Sequence, residues 1–176
     1  MPTPRPVHTA RCRCGAVQLG AWAAPIAVAA CYCDDCQAAA AKIAQTGAVS
    51  PADPDGGTAF MLFRRDRLAC TGGSERLCAV RLREGTKTRR MVAECCGTAM
   101  YLAFDDSRPW VSAFRDPFGE TAPPVQMRIC TRFRRTDAAP ADDGLPSHAG
   151  YPPSMMLKIL AAAPGLLFAK PVEPLP

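Results

Sequence analysis

The sequence predicts a mainly β fold with one short helix. Residues 75–83 and 125–130 alternate in side-chain type with a period of two, as half-buried strands require. The chain also has 18 prolines and 13 glycines in 176 residues, which favours frequent turns and few long helices. Its 48% hydrophobic and 21% charged content is ordinary for a globular protein, and excludes a fibre, a coiled coil or a wholly disordered chain.

The other strands are predicted from short apolar segments that end at turn residues. Pro25 separates the segments 16–22 and 26–30. Gly72-Gly73-Ser74 forms a later turn, and Gly85 forms another. The predicted segments are 16–22, 26–30, Ala59–Phe63, Arg67–Thr71, 88–93 and Met100–Phe104.

The most clearly predicted helix follows Cys36. Residues Gln37 to Gln45 include five alanines, and Gly47 can end the helix in a left-handed conformation. Asp34 and Asp35 can cap its start, where negative charge is stabilising.

A change of composition after Thr136 marks the end of the main domain. We expect a flexible N-terminus over residues 1–9, a β domain over residues 10–136 and a Pro/Ala-rich extension over residues 137–176. The extension contains a predicted short helix at Met155 to Ala162. It should dock on the domain through Met156, Leu157, Ile159 and Leu160, because so many exposed apolar side chains would cause association.

The net charge of +5 comes mainly from arginine, whose planar fork binds carboxylates and phosphates. The densest group, Arg132, Arg134 and Arg135, is interrupted, and no run of five basic residues occurs. Solvated strand faces are therefore favoured over a nucleic-acid surface. Residues 1–9 contain no apolar signal, and Met155–Phe168 is too short to span a bilayer. We expect a cytoplasmic protein without a membrane segment.

Three short clusters contain seven of the ten cysteines. In a reducing compartment, closely spaced cysteines are metal ligands or catalytic thiols more often than disulfides. Cys12 and Cys14 precede Gly15, and Cys95 and Cys96 precede Gly97, as expected where a tight turn points amide groups at sulfur. These two clusters together could form a closed four-thiolate zinc site that contributes to folding.

The middle cluster is Cys31, Cys33 and Cys36, with Cys36 at the start of the predicted helix. No fourth ligand is evident nearby, because His8 and His148 are the two histidines of the chain. Three ligands and a vacant position are typical of an open zinc site. Three thiolates blunt the Lewis acidity of zinc, which favours a small thiol as fourth ligand over zinc-bound hydroxide.

Other roles for these residues remain open. Asp34 and Asp35 are either helix caps or the nearest proton acceptors for the middle cluster. Cys33 and Cys36 could form a redox disulfide, and the clusters could be structural cysteines without metal. The remaining cysteines, Cys70, Cys78 and Cys130, fall in predicted strands and are interpreted as packing residues.

The order of these motifs resembles the glutathione-dependent formaldehyde-activating enzyme family, which includes centromere protein V. The resemblance covers about residues 10–135 and rests on three motifs. These are Cys12-Arg13-Cys14-Gly15-Ala16-Val17, Cys31-Tyr32-Cys33-Asp34-Asp35-Cys36-Gln37, and Gly85, Arg89 and Arg90 before Cys95-Cys96-Gly97-Thr98. The residues of these motifs are closer to those of a side branch of the family than to those of the enzyme that gives the family its name.

The resemblance implies an Mss4-like zinc-binding β-sandwich or tent. It also implies a structural zinc at Cys12, Cys14 and Cys96 and a second, open zinc site at Cys31, Cys33 and Cys36. The implied activity joins formaldehyde to glutathione as S-hydroxymethylglutathione, which is carbon–sulfur lyase chemistry.

Two positions depart from the family pattern. The last cluster is usually C-x-x-C-G, whereas here Cys95 and Cys96 are adjacent and Ala93 occupies the other position. Adjacent thiolates can share an ion only through a strained turn, so this site could use another donor or be empty. Which of the two binds metal, and whether the chain holds one zinc or two, stays open. Gln37 also stands where the family helix commonly has arginine.

Two functions from different classes follow. The first is a zinc-dependent carbon–sulfur lyase acting on a small thiol adduct such as S-hydroxymethylglutathione, with arginines for the carboxylates of glutathione. The second is a non-catalytic zinc module that binds a macromolecule through a basic face. We rank it second, and nucleic acid low among its partners, because no basic–aromatic stacking surface is evident.

Overall fold

The computed structural model describes residues 5–135, 142–166 and 175. This part of the chain contains ten strands and two α-helices. The strands are β1 (His8–Arg11), β2 (Gln18–Ala21), β3 (Ala27–Cys31), β4 (Thr58–Arg64), β5 (Leu68–Gly72), β6 (Leu77–Val80), β7 (Thr88–Ala93), β8 (Thr98–Phe104), β9 (Trp110–Phe114) and β10 (Met127–Ile129). The helices are α1 (Asp34–Gln45) and α2 (Pro153–Ala162).

The strands form two sheets. The smaller sheet has the order β1-β2-β5 and the larger has the order β10-β3-β4-β9-β8-β7-β6. All neighbouring strands are antiparallel except β10 and β3, which run parallel. The predicted mainly β fold is therefore confirmed.

The large sheet is covered on both faces. In β4, Met61 and Phe63 belong to the core shared with the small sheet, whereas Phe60 and Leu62 belong to the core that includes side chains of α1 and α2. Successive strand side chains point to opposite faces, so a strand between two layers must be apolar at nearly every position. This explains the uninterrupted apolar segment at β4. The same alternation places Cys31 of β3 on the helix-covered face.

Helix α1 begins earlier than predicted and without the expected caps. Cys33 is its N-cap, no side chain makes a capping hydrogen bond, and Asp34 and Asp35 lie in its first turn. Both carboxylates instead pair with arginines of other segments, Arg135 and Arg83 respectively. The capping interpretation is wrong, but acidic residues in a first turn still favour the helix dipole.

Helix α2 packs against the large sheet, and the side chains that it buries there differ from the expected set. Met155 and Ile159 are buried, whereas Leu157 and Leu160 are about two-thirds exposed. Buried residues four apart share one helix face, which the sheet covers. No helix among the described residues is long and apolar enough to cross a membrane.

Several strand predictions need correction. Strands β1 and β9 were not predicted, and the segment 75–83 forms a strand only over Leu77–Val80. Strand β9 was missed because Asp105, Asp106 and Pro109 precede it and favour a loop. It nevertheless lies in the middle of the large sheet, between β4 and β8.

Candidate metal centres

Four cysteine sulfurs from two distant segments meet in one place, which we call the closed cluster. Cys12 and Cys14 follow β1, while Cys95 and Cys96 lie in the turn between β7 and β8. All four Sγ atoms lie within 4.8 Å of one another. The Sγ of Cys14 is 3.1 Å from that of Cys95, and the Sγ of Cys12 is 3.5 Å from Cys14 and 3.9 Å from Cys95.

These separations fit a single metal ion. Tetrahedral zinc–thiolate bonds of about 2.3 Å place sulfurs about 3.8 Å apart. Separations of 3.5 to 3.9 Å in the closed cluster come within a few tenths of an ångström of that spacing, and the shortest, 3.1 Å between Cys14 and Cys95, is about 0.7 Å below it. Four sulfur donors also match the preference of zinc for thiolates. The closed cluster can therefore hold a metal ion, and its donor set suits zinc.

Two glycines shape the turns of the closed cluster, as predicted. Gly15 and Gly97 have φ angles of 79° and 70°, a region that L side chains rarely adopt. A Cβ atom on Gly97 would also lie 2.5 Å from the Cβ of Ala48. The turn after Cys12 lets the backbone N–H of Val17 donate a hydrogen bond of 3.2 Å to the Cys12 sulfur.

The adjacent pair Cys95 and Cys96 does not need the strained backbone that its sequence suggested. Cys130 is the one non-glycine residue with positive φ in the described part of the chain, so neither member of the pair adopts that conformation. Burial opposes ionisation of Cys96, but hydrogen bonds from Thr98 and from the Cys14 backbone lower the pKa of Cys96 to about 6. A thiolate is the form that binds metal.

The other cluster, which we call the open cluster, contains Cys31, Cys33 and Cys36. Cys31 ends β3, Cys33 caps α1 and Cys36 lies in the first turn of α1. Their Sγ atoms lie within 4.8 Å of one another. The strand-to-helix connection therefore gathers three sulfurs from six consecutive residues.

Cys33 has the lowest pKa of the three thiols in the open cluster. Hydrogen bonds from the Cys31 and Cys36 thiols, with the N–H groups of Cys36 and Asp35 at the helix start, lower the pKa of Cys33 to about 3. The hydrogen bond with Cys33 is the main cause that raises the pKa of Cys31. Three soft donors with one thiolate already formed suit zinc, and the open cluster can hold a metal ion.

The open cluster faces a cavity of about 370 Å³ between the large sheet and α2. The lower limit for small-molecule sites is roughly 300 Å³, so a small ligand fits. Its apolar walls include Phe60, Leu62, Phe104, Trp110, Met155 and Ile159. A fourth ligand could therefore reach the three sulfurs through this cavity. The closed cluster has four protein donors and leaves no such position.

The two predicted proton acceptors differ in position. Asp35 lines the cavity, and its carboxylate lies 3.5 Å from Arg83. Asp34 is not among the residues that line the cavity and pairs with Arg135. Only Asp35 is therefore placed to exchange a proton with a ligand of the open cluster.

The three remaining cysteines lie outside both clusters. Cys70 and Cys78 are half-buried in β5 and β6, and pack against the two cores, as predicted. Cys130 was expected in a strand but follows β10 with a φ of 59°, buried in the core that contains the open cluster. None of the ten cysteines forms a disulfide. Redox pairing of Cys33 with Cys36 stays a hypothesis.

The three arginines of the predicted basic group each contact another group of the chain. The guanidinium of Arg132 lies 4.6 Å from the ring centroid of Phe133. Arg134 donates a hydrogen bond to the backbone of Asp55, and Arg135 pairs with Asp34. Each arginine of the group thus has a partner within the chain.

Sequence reasoning missed several residues of the cavity. Arg90 was noted only as part of a motif, yet it is 4% exposed and lines the cavity. The strand pattern could have indicated its position. Thr88, Arg90 and Val92 are two residues apart in β7, so Arg90 is expected on the same face as the buried Val92. Trp110 was missed because β9 was missed, and Tyr151 because the extension was not expected to reach this site.

One family model matches the segment that contains both cysteine clusters. The model of the glutathione-dependent formaldehyde-activating enzyme family matches residues 7–115. None of the curated proteins matches the chain. Among solved structures, a Rhodobacter sphaeroides protein studied by the Northeast Structural Genomics programme has a TM-score of 0.46 and 14% identity, covering 80% of this chain and 98% of that one. The family match spans more than half of the chain and all seven clustered cysteines, so the chain belongs to the glutathione-dependent formaldehyde-activating enzyme family.

Proposed function

We propose that this protein is a zinc-dependent carbon–sulfur lyase that makes or breaks the adduct of a small thiol with an aldehyde, such as S-hydroxymethylglutathione. The observation that carries the proposal is the contrast between the clusters. One has four sulfur donors, and the other has three that face a cavity. Three donors beside a ligand-sized cavity support substrate binding, whereas four favour a structural role.

In this proposal Cys31, Cys33 and Cys36 hold the zinc of the open site, and Cys12, Cys14, Cys95 and Cys96 hold the structural one. Zinc at the open site would supply a position for the sulfur of the substrate. The apolar cavity walls would orient the body of the thiol. Asp35 is the cavity carboxylate that can accept a proton.

The proposed reaction conserves atoms and electrons. The thiol gives its proton to Asp35, and its sulfur forms a bond to the carbonyl carbon of the aldehyde. The carbonyl π bond breaks and its electron pair moves to oxygen, which then takes the proton from Asp35. The product is a hemithioacetal, and the reverse path releases thiol and aldehyde.

The alternative, a non-catalytic zinc module with a basic face, has less support. Asp34 offsets the charge of Arg135, and contacts with the Phe133 ring and the Asp55 backbone hold Arg132 and Arg134, which leaves fewer free guanidinium groups for a macromolecule. A cytoplasmic location, where small thiols are abundant, remains our expectation.

Exchange spectroscopy by NMR on a mixture of glutathione, formaldehyde and zinc-loaded protein tests the proposal. We expect the wild type to accelerate interconversion of free and adduct glutathione, and Cys33→Ser to return it to the spontaneous rate. Cys78→Ser, a thiol outside both clusters, should keep the wild-type rate. A Cys33→Ser protein as active as wild type would contradict the proposal.

A further inference from the structure

The cavity above the open cluster is mostly apolar. Side chains of β4, β8 and β9 form one wall, and include Phe60, Leu62, Phe104 and Trp110. A peptide thiol such as glutathione carries two carboxylates, an ammonium group and two amides. Each of these groups loses water on entering the cavity and needs a polar partner there.

Most of the charge that lines the cavity is already paired. Arg108 makes two hydrogen bonds to Asp106, at 2.8 and 2.6 Å, and stacks 4.0 Å over the ring of Phe104. The carboxylate of Asp35 lies 3.5 Å from Arg83. Neither residue is therefore free to bind an ionic group of a ligand without losing its partner.

Arg90 is the exception. It is 4% exposed and lines the cavity, and none of the carboxylates in the described residues lies within 4 Å of its guanidinium. Its hydrogen bond within the described residues is a long one, 3.3 Å, to the backbone oxygen of Asp35. A buried guanidinium has five N–H donors and is costly to leave without an anion.

The C-terminal extension completes the apolar wall. Met155 and Ile159 of α2 are buried and line the cavity, yet they lie outside the segment 7–115 that matches the family. The side chain of Tyr151 lines the cavity as well. Contacts that this chain adds to the family core are therefore mainly apolar.

Building on the proposed function, we propose that the open cluster prefers a thiol with an apolar body and one carboxylate near its sulfur over a peptide thiol such as glutathione, and that Arg90 binds this carboxylate. Arg90 donates its hydrogen bond to the backbone of Asp35, the residue before Cys36, and both Arg90 and Cys36 line the cavity, so a carboxylate bound by Arg90 lies near the sulfur of the ligand. The apolar body then packs against α2 and the aromatic side chains.

A competing role for Arg90 is to balance the negative charge of the thiolate cluster alone. The two roles differ in a measurable way. A charge-balancing arginine affects zinc affinity and every thiol ligand equally. An arginine that binds substrate discriminates between a carboxylate and a neutral group on otherwise identical thiols.

Isothermal titration calorimetry on zinc-loaded protein distinguishes them. The probes are 2-mercapto-3-phenylpropanoate, its primary amide and glutathione, and zinc content is measured for each variant. We expect the carboxylate to bind most tightly, and Arg90→Gln to weaken it by about tenfold or more while leaving the amide within about twofold, as loss of a charge-assisted hydrogen bond implies. Arg90→Lys should recover part of the preference.

A matched pair on α2 tests the apolar wall. Ile159→Asn should weaken binding of 2-mercapto-3-phenylpropanoate several-fold, whereas Leu157→Asn, on the exposed face of the same helix, should not. Equal losses for acid and amide in Arg90→Gln, or tighter binding of glutathione than of the phenyl thiol, would overturn this inference and leave the lyase proposal standing. Failure of wild type to bind any of the three thiols would overturn both.

Discussion

Both cysteine clusters offer sulfur donors, but the closed cluster takes them from distant segments and the open cluster from neighbouring residues. The closed cluster joins the end of β1 to the turn between β7 and β8, and two of its four cysteines are exposed. The open cluster is gathered from six neighbouring residues and lies against a cavity, with Cys31 buried. Metal bound by distant segments stabilises the fold, because it closes a long loop, whereas metal bound by a local segment contributes little to stability and remains available for chemistry.

The largest expected effect is loss of the closed cluster. Cys12→Ser should remove one zinc per chain and lower the free energy of unfolding by at least about 4 kcal/mol, or roughly 10 °C in Tm, because a long-range link is lost. Metal analysis and calorimetry measure both quantities. Cys70→Ser, outside both clusters, should keep its zinc. A Cys12→Ser protein as stable as wild type would show that the closed cluster does not connect the two segments.

Loss of the open cluster should affect binding more than stability. Cys33→Ser should remove one zinc and abolish thiol binding, but change the free energy of unfolding by less than about 2 kcal/mol, because its ligands are already close in sequence. The same metal analysis and calorimetry apply. If Cys33→Ser destabilises the protein as much as Cys12→Ser, the division into structural and open sites is wrong.

The turns of the closed cluster offer a graded test. Gly97→Ala should lower the free energy of unfolding by about 2 kcal/mol or more, because it combines a left-handed φ of 70° with a Cβ contact of 2.5 Å to Ala48. Gly15→Ala has the same kind of φ but open space, and should cost only about 1 kcal/mol. Chemical denaturation measures the loss of unfolding free energy in each variant. Equal losses would mean that Ala48 moves away from the added Cβ atom.

The smallest effect concerns the extension that covers the open cluster. Arg128 pairs with Asp143 at 2.8 Å, and this hydrogen bonding lowers the pKa of Asp143 to about 2 from an ordinary value of 3.8. A lowered carboxyl pKa contributes stability above about pH 4 that is lost as the pH falls towards 2. Asp143→Asn should therefore have a slightly lower Tm than wild type at neutral pH.

That difference should shrink as the pH approaches 2, when the wild-type carboxylate is protonated as well. Thermal unfolding of both proteins between pH 2 and pH 7 checks this. A constant difference across the range would mean that the ion pair of Asp143 is not its cause.

Most strands could be predicted because their information is local. The apolar segments at β3, β4 and β8 are read directly from the residue pattern, and so are the alanines of α1. Strand β9 could not be found in this way, since Asp105, Asp106 and Pro109 mark a loop just before it. Its central place in the sheet depends on pairing with β4, which is distant in sequence, as well as with the preceding strand β8.

The cysteine spacing by itself determined which residues group locally, because Cys31, Cys33 and Cys36 are too close in sequence to lie far apart. Only the tertiary structure decided that Cys95 and Cys96 can both approach Cys12 and Cys14 without a strained backbone. It also decided that the open cluster faces an apolar cavity that is lined by Arg90 and by side chains of α2. Spacing fixes contacts over a few residues, whereas a cavity needs walls from segments that only the folded chain brings together.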